Sequence, residues 1–392
     1  MNNKKSYKIW QVVLLLVFLY FVVAMTDQFK GMLVPNFKSY FNVNNVQIGH
    51  IMTASLFSYA VFQYVGGSII EKFNSYKKAI LLGFIIELIS IVLLLSTNSY
   101  ISLIIGLFGI SAGMAMFNVT LNALCLALPV KSTAVLLNFL GFTYGASATT
   151  IQKVGGNILF GGATWQSFFM FMFIASTAVF VFAGILKMPS VERENTDAKG
   201  KNLSIITLLK NKTILLYVGA LGFYLASEYN VGGWFVNYMV DSFEMNQADA
   251  SIYTALFFGT LTIARLGGGF LADKIGYLRS VIIFSIISSS MSVIGVLAGK
   301  GGLLILACSG LFYSLICPVI TSTVSKAFDK NISQITGFLF MSGTLVAMLV
   351  NMLIGVLSDN IGTQYAFLTI GVCLALTGLF SLLISRKVDL KK

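Results

Sequence analysis

The sequence predicts an all-helical membrane protein whose twelve transmembrane spans form two six-helix, pseudo-symmetric halves. Three observations predict it. Of 392 residues, 57% are hydrophobic and 10% charged, where a soluble domain carries about a quarter charged residues. The apolar residues gather into runs near the ~20 residues that cross a bilayer. A short glycine-acid-base motif recurs at the same place in each half. The composition excludes a soluble globular enzyme, a disordered chain and a nucleic-acid binder.

The runs cover roughly 9–36, 46–70, 79–97, 101–128, 133–161, 166–187, 212–240, 250–272, 278–299, 302–326, 332–357 and 364–386. The longest polar interval, MPSVERENTDAKGKNL over 188–203, falls after the sixth. Residues 1–187 are therefore expected to form an N-terminal six-helix bundle, 188–211 a linker and 212–392 a C-terminal six-helix bundle. The first run follows MNNKKSYK, is too long for a cleaved signal peptide and lacks an A-x-A exit, so it reads as a retained helix. Glycine, at 36 residues, suits close helix contacts. Cys125, Cys308, Cys317 and Cys373 lie in apolar runs without CxxC spacing and read as small buried residues. With one histidine, His50, no metal centre and no cofactor is expected. Trp10 and Trp165 sit near span ends and read as interfacial anchors. Tyr253, Phe257 and Phe258 read as packing.

The net charge of +12 is carried by short loops on one side. With both termini cytoplasmic, 21 of the 26 basic residues fall inside, among them Lys4, Lys72, Lys77, Lys131, Arg193, Lys210, Lys274, Arg279, Lys326 and Arg386, against only Lys38 and Lys300 outside. The positive-inside rule then sets the orientation: a multi-pass protein of the cell (inner) membrane, its partner the lipid bilayer and not nucleic acid, expected as a monomer.

After the second run the chain reads Gly67-Ser-Ile-Ile-Glu71-Lys72, and after the eighth Gly269-Phe-Leu-Ala-Asp273-Lys274, an offset of 202. The glycine is expected to let two helices touch, the acid to sit at a helix end and the base to tether the turn. Parallel six-helix halves place a solute site between them near the midplane.

These paired loops resemble the signature loops of the major facilitator superfamily, and the resemblance covers nearly the whole chain. Several stretches resemble its branch of fucose, glucose and galactose:proton symporters: Lys30-Gly-Met-Leu-Val-Pro35, Glu228 with Trp234, Ala264-Arg265, Phe312-Tyr-Ser-Leu-Ile-Cys-Pro318 and Gly355-Val-Leu-Ser-Asp359. The resemblance implies a secondary active transporter that moves a small polar solute, foremost a sugar, with a proton (or sodium) by alternating access. It implies no enzyme activity. The branch usually has an acid in the fourth span where this chain has Asn118. Its first-span acid lies about a turn later than Asp27. Coupling moved to Glu228, or a related polar solute, are both open on this comparison.

Ionisable residues inside a membrane helix are costly and mark function by default. Here they are Asp27, Lys30, Glu87, Lys153, Glu228 and Arg265, three acids against three bases. Asp27 and Glu228 are offset by 201, so each half places a carboxylate at the same depth of its first helix. Both read as proton-coupling groups, with Arg265 the cation for Glu228 and Lys30 or Lys153 the cation for Asp27. Glu87 reads equally as a structural pair.

A sugar needs amides and aromatic faces. The candidates are Gln28, Asn118 with Asn122, Asn138, Tyr144, Gln152, Asn230 with Trp234 and Asn237, and Asn351. At ~100° per residue Glu228 lies almost opposite Asn230, Trp234 and Asn237. Both sets reach one cavity only if Gly232-Gly233 breaks or twists the helix; otherwise one set is structural. The competing function is an efflux antiporter for drugs or metabolites. Against it stand the absence of an Arg in the fourth span and of a Pro in the Gly141–Gly145 stretch of the fifth.

Overall fold

In hydrocarbon every backbone N–H and C=O must be satisfied inside the protein, which leaves the helix as the form of a lone apolar span. The computed structural model describes residues 7–96, 98–130, 133–189, 204–328 and 331–387, and among them there is no strand. The first half holds α1 (Ile9–Met32), α2 (Val34–Phe41), α3 (Asn45–Phe73), α4 (Tyr76–Ser96), α5 (Tyr100–Ala127), α6 (Thr133–Phe160) and α7 (Trp165–Ile185). A short α8 (Ile205–Lys210) leads into the second half. That half holds α9 (Lys212–Phe243), α10 (Gln247–Ile275), α11 (Tyr277–Leu297), the broken span α12 (Leu303–Cys308), α13 (Gly310–Tyr313) and α14 (Ile316–Ala327), then α15 (Ile332–Ile361), α16 (Thr363–Ala366) and α17 (Leu368–Lys387). Most of the expected linker lies outside the described residues.

Among the described residues nine segments are long and apolar enough to cross a membrane. Three more, α3, α6 and α10, run 29, 28 and 29 residues, about 42–44 Å at 1.5 Å per residue. They are less apolar because much of their surface meets the other half: α3 packs along α15, and α6 along α10. The peripheral helices α4, α7, α11 and α17 instead expose Ile89, Phe171, Ile174, Ile286 and Val372, an apolar rim suited to lipid.

Local chemistry sets the ends. Asn44 opens α3 with a capping box, accepting from the Gln47 N–H at 2.9 Å while the Gln47 side chain accepts from Asn44 N–H at 3.0 Å. Asn211 caps α9 through Thr213 and Ile214 N–H, and Asn246 caps α10 through Asp249 N–H. The first run, expected as one span to 36, divides at Leu33 because Pro35, in the first turn of α2, has no N–H to continue the ladder. The tenth run, expected unbroken, is interrupted at Ser309 and again before Ile316. Pro318 cannot donate to the Ser314 carbonyl there.

Three expectations are corrected. Trp165 is not an interfacial anchor; it is 3% exposed and packs edge-on to Phe37, Tyr40 and Phe169, whereas Trp10 is exposed. The close approach of α3 to α5 falls at Gly66, where a Cβ would lie 3.2 Å from Met116 Cα, and not at Gly67, where it would make an ordinary 3.9 Å contact. Phe258 lines the central cavity rather than serving only as packing. The surroundings of Gly269 and the side chain of Asp273 lie outside what is described; Glu71, Lys72 and Lys274 are exposed at the ends of α3 and α10.

The halves are latched at the face away from the termini. The Asp359 carboxylate accepts from Asn45 N–H at 3.1 Å and Val46 N–H at 2.9 Å, the open first turn of α3, where the helix dipole favours an anion. Asp241 gathers Lys38, the Asn237 amide at 3.1 Å and the Thr363 hydroxyl at 3.2 Å. Gln247 donates to the Met32 carbonyl at 3.0 Å. Each such contact is worth about 0.5–2 kcal/mol, so the latch is strong enough to hold one state and weak enough to open. Removing Asp359 should raise access from this face by about tenfold, since 1.4 kcal/mol is a factor of ten. In Asp359→Ala a cysteine placed at Met52, in the cavity wall, should react faster with an impermeant thiol reagent added from that side. Unchanged labelling contradicts the latch.

Candidate solute cavity

The cavity is built around a helix crossing that only glycine permits. A Cβ on Gly31 of α1 would lie 1.9 Å from the Gly232 carbonyl oxygen and 3.2 Å from Gly233 Cα on α9. Any side chain there would drive the two helices apart. Asp27 stands one turn before Gly31, and Glu228 one turn before Gly232. The two first helices of the halves thus carry an acid-x-x-x-Gly unit in matching positions, and their close contact brings both acids to one space.

That space has a volume of about 240 Å³, below the ~300–1,000 Å³ of pockets for drug-sized ligands. Its wall includes Asp27, Gln28 and Lys30 of α1, Ser55 and Tyr59 of α3, Asn118 of α5 and Tyr144 of α6. The second half contributes Glu228, Tyr229, Gly232 and Gly233 of α9, Phe258 of α10 and Asn351 of α15.

Each acid has a cation within its own half. Lys30 Nζ lies 3.4 Å from Asp27 Oδ1 on the same face of α1, and 3.5 Å from Ser111 Oγ of α5. Tyr144 donates its hydroxyl to Asp27 Oδ2 at 2.9 Å. Arg265 Nη2 of α10 lies 3.4 Å from Glu228 Oε1. The two acids and two bases balance, so the cavity carries no net charge from its ion pairs. Lys153, the other candidate partner of Asp27, sits on an exposed face of α6. Glu87 is fully buried, with Ser176 of α7 the polar side chain beside it. It packs against Gly113 of α5, and among the described residues no cation pairs with it.

α9 runs unbroken through Gly232-Gly233, so of the two alternatives the second holds and the two polar sets part. Glu228 faces the cavity. Asn230 is buried and donates to the Ala226 carbonyl at 2.7 Å and the Ala347 carbonyl at 3.4 Å. Trp234 is fully buried. Asn237 bonds Asn45 at 3.2 Å in the latch. Gln152 donates to Gln28 Oε1 at 2.9 Å, holding Gln28 in the wall. Asn118 donates to the Tyr59 hydroxyl at 3.2 Å. Asn122, exposed, donates to the Asn118 carbonyl at 2.9 Å, and Asn138 is exposed on α6. The structure therefore gathers Asp27, Gln28, Lys30, Asn118, Tyr144, Glu228 and Asn351 around one space, with Arg265 beside it. It leaves Asn122, Asn138, Gln152, Lys153, Asn230, Trp234 and Asn237 outside the wall, Gln152 behind Gln28.

Sequence reasoning missed Tyr20, Ser55, Tyr59, Tyr229 and Phe258 of the wall. Tyr229 adjoins Glu228 and was open to notice. Ser55 carries no signal, since serine is common in membrane helices. The four cysteines are free thiols, Cys125 and Cys373 buried, and among the described residues no cluster of His, Cys, Asp and Glu forms a metal site.

A fold of two six-helix halves around a central polar cavity defines a membrane transporter. The family model described as Major Facilitator Superfamily matches the chain twice, over residues 16–230 and 218–392, and the chain belongs to this superfamily of multi-pass transporters. It is 24% identical over 390 residues to a glucose/galactose transporter of Brucella abortus, covering 95% of this chain and 93% of that protein. It is 22% identical to the L-fucose-proton symporter of Escherichia coli, over 94% and 91% of the two. Among solved structures, the inward-open xylose transporter XylE of E. coli superposes with a TM-score of 0.77 at 14% identity, over 96% of each chain. The E. coli fucose:proton symporter superposes at 0.67 with 20% identity, over 95% and 98%.

If Arg265 and Glu228 balance one another, removing one leaves the other uncompensated. Breaking a fully buried pair costs about 3–5 kcal/mol. Here the side chains are 33% and 18% exposed, so Arg265→Ala should cost about 1–3 kcal/mol. The double variant Arg265→Ala/Glu228→Gln should recover much of it. Thermal unfolding in detergent checks this; a double variant no more stable than the single one contradicts the pairing.

Proposed function

We propose that this transporter carries a neutral, hydroxylated solute, a sugar foremost, by proton symport, with both termini on the cytoplasmic side of the cell membrane. The observation that carries the reading is the charge balance of the cavity: an acid from each half, each held by a base of its own half, around a space lined by tyrosines, amides and a phenylalanine. A charged solute would have to displace one of these pairs. A neutral polyol would not, and its hydroxyls and ring faces match the wall. The names of the relatives, glucose/galactose transporter and L-fucose-proton symporter, and the excess of basic residues on the side of the termini support the same reading.

The coupling chemistry follows from the pairs. A carboxylate loses its hold on the charged form where water and its cation are withdrawn, and regains it when they return. A proton taken up by Glu228 or Asp27 on one side would release Arg265 or Lys30 from its partner and be given back on the other. Replacement of the span-four acid of the resembled branch by Asn118 leaves these two as the carriers. The Gly67–Lys72 and Gly269–Lys274 segments, in the last turns of α3 and α10 rather than in loops, would bear on the balance of states from the termini side.

Proteoliposomes supplied with D-glucose, D-galactose and L-fucose test this, under an imposed pH gradient and an imposed sodium gradient in turn. Accumulation is expected with the pH gradient alone. Glu228→Gln or Asp27→Asn, whichever acid carries the proton, should abolish accumulation by at least about tenfold while sparing exchange of solute across equal pH. Full coupled uptake in both variants removes the proposed coupling, and accumulation driven only by sodium changes the ion.

A further inference from the structure

Two polar atoms in the cavity wall are buried and have no partner. Ser55 of α3 is 2% exposed and Asn351 of α15 is 3% exposed. Both line the cavity, yet Ser55 Oγ and Asn351 Oδ1 make no hydrogen bond. Native proteins satisfy nearly all such groups, so an orphan in a cavity wall marks a place for a ligand or an ordered water.

The two come from opposite halves on helices pressed together. A Cβ on Gly355 would lie 2.8 Å from the Asn45 carbonyl oxygen and 3.3 Å from Gly49 Cα, and one on Gly49 would lie 3.7 Å from the Asn351 carbonyl oxygen. α3 and α15 run antiparallel through this contact. Moving from Gly49 to Ser55 and from Gly355 to Asn351 therefore leads the same way, off the latched face and into the cavity. The same helix pair carries the latch between Asp359 and the Asn45 and Val46 N–H groups.

The chemistry of the two atoms selects what fits. An amide oxygen only accepts, while a serine hydroxyl donates and accepts. A solute hydroxyl satisfies both, donating to Asn351 Oδ1 and accepting from Ser55. An ammonium would need an unpaired acid nearby, and Asp27 and Glu228 each already hold a base.

We propose that Ser55 and Asn351 form a hydroxyl subsite spanning the two halves, which takes one hydroxyl of the transported solute. This rests on the reading of the solute as neutral and hydroxylated.

Uptake by proteoliposomes tests it, with D-glucose, D-galactose and L-fucose, their single-deoxy analogues, and myo-inositol as probes. Ser55→Ala and Asn351→Ala should each raise KM by about tenfold, the loss of one neutral hydrogen bond, with little change in maximal rate. Ser55→Thr, which keeps the hydroxyl, should recover much of the affinity. For the one analogue lacking the hydroxyl held there, wild type and variants should have similar KM. An unchanged KM, or an equal penalty against every deoxy analogue, overturns the subsite while leaving the sugar reading intact. Uptake of myo-inositol but no sugar, with the same effect of the variants, supports the subsite and overturns the sugar. Lactate and choline are supplied in parallel, and a wild type that takes up one of these and none of the hydroxylated probes overturns both.

Discussion

The crossing of α1 over α9 at Gly31 and Gly232 is the contact on which the centre of this molecule depends. Two helix backbones meet there with no side chain between them. That closeness draws Asp27 and Glu228, one turn away on each helix, into a common space. Ionised carboxylates at such depth are costly without a compensating charge, and each of these two has one at 3.4 Å. A side chain on Gly31 would run into the Gly232 carbonyl and separate the helices, and with them the cavity and its charge balance.

The polar contacts divide by whether they cross the interface between halves. Asp27 with Lys30, Ser111 and Tyr144 lies wholly in the first half, and Glu228 with Arg265 wholly in the second. Lys38 with Asp241 and Asn45 with Asp359 span both. Rigid-body rocking of the halves, the motion of this fold class, breaks only the second group. The buried pairs ride within their own half, and what changes at them is the supply of water, proton and solute.

Much of the fold was legible in the sequence. Runs of apolar residues report lipid-crossing helices directly, and the repeat at an offset of 202 reports two halves. The breaks at Leu33 and in the 309–315 stretch were less legible, although Pro35 and Pro318 stood in the runs, because a proline kinks some membrane helices and interrupts others. At the centre, the pairs of Asp27 with Lys30 and Glu228 with Arg265 were readable because buried charge has few outlets. Amides were not. Asn118 and Asn351 face the cavity, whereas Asn230 faces α15 and Asn237 the latch, and an amide serves either setting at similar cost. The helical angle between Glu228 and the Asn230 face did carry the answer once α9 was seen to run straight. Ser55 and the tyrosines were hidden for a different reason: their place in the wall is set by the packing of α3 against α15, α6 against α10 and α1 against α9, which no single helix encodes.

Charge balance in the cavity has a direct electrical consequence. If the four charges cancel and the solute is neutral, a carrier loaded with one proton moves one net positive charge, worth about 2.3 kcal/mol per 100 mV. The decisive measurement is solute accumulation in proteoliposomes at equal pH on both sides, under a potassium diffusion potential set with valinomycin. Symport of a neutral solute with a proton predicts accumulation that rises with an inside-negative potential and reverses with its sign. Uptake indifferent to the potential would contradict a balanced cavity carrying a proton with an uncharged solute.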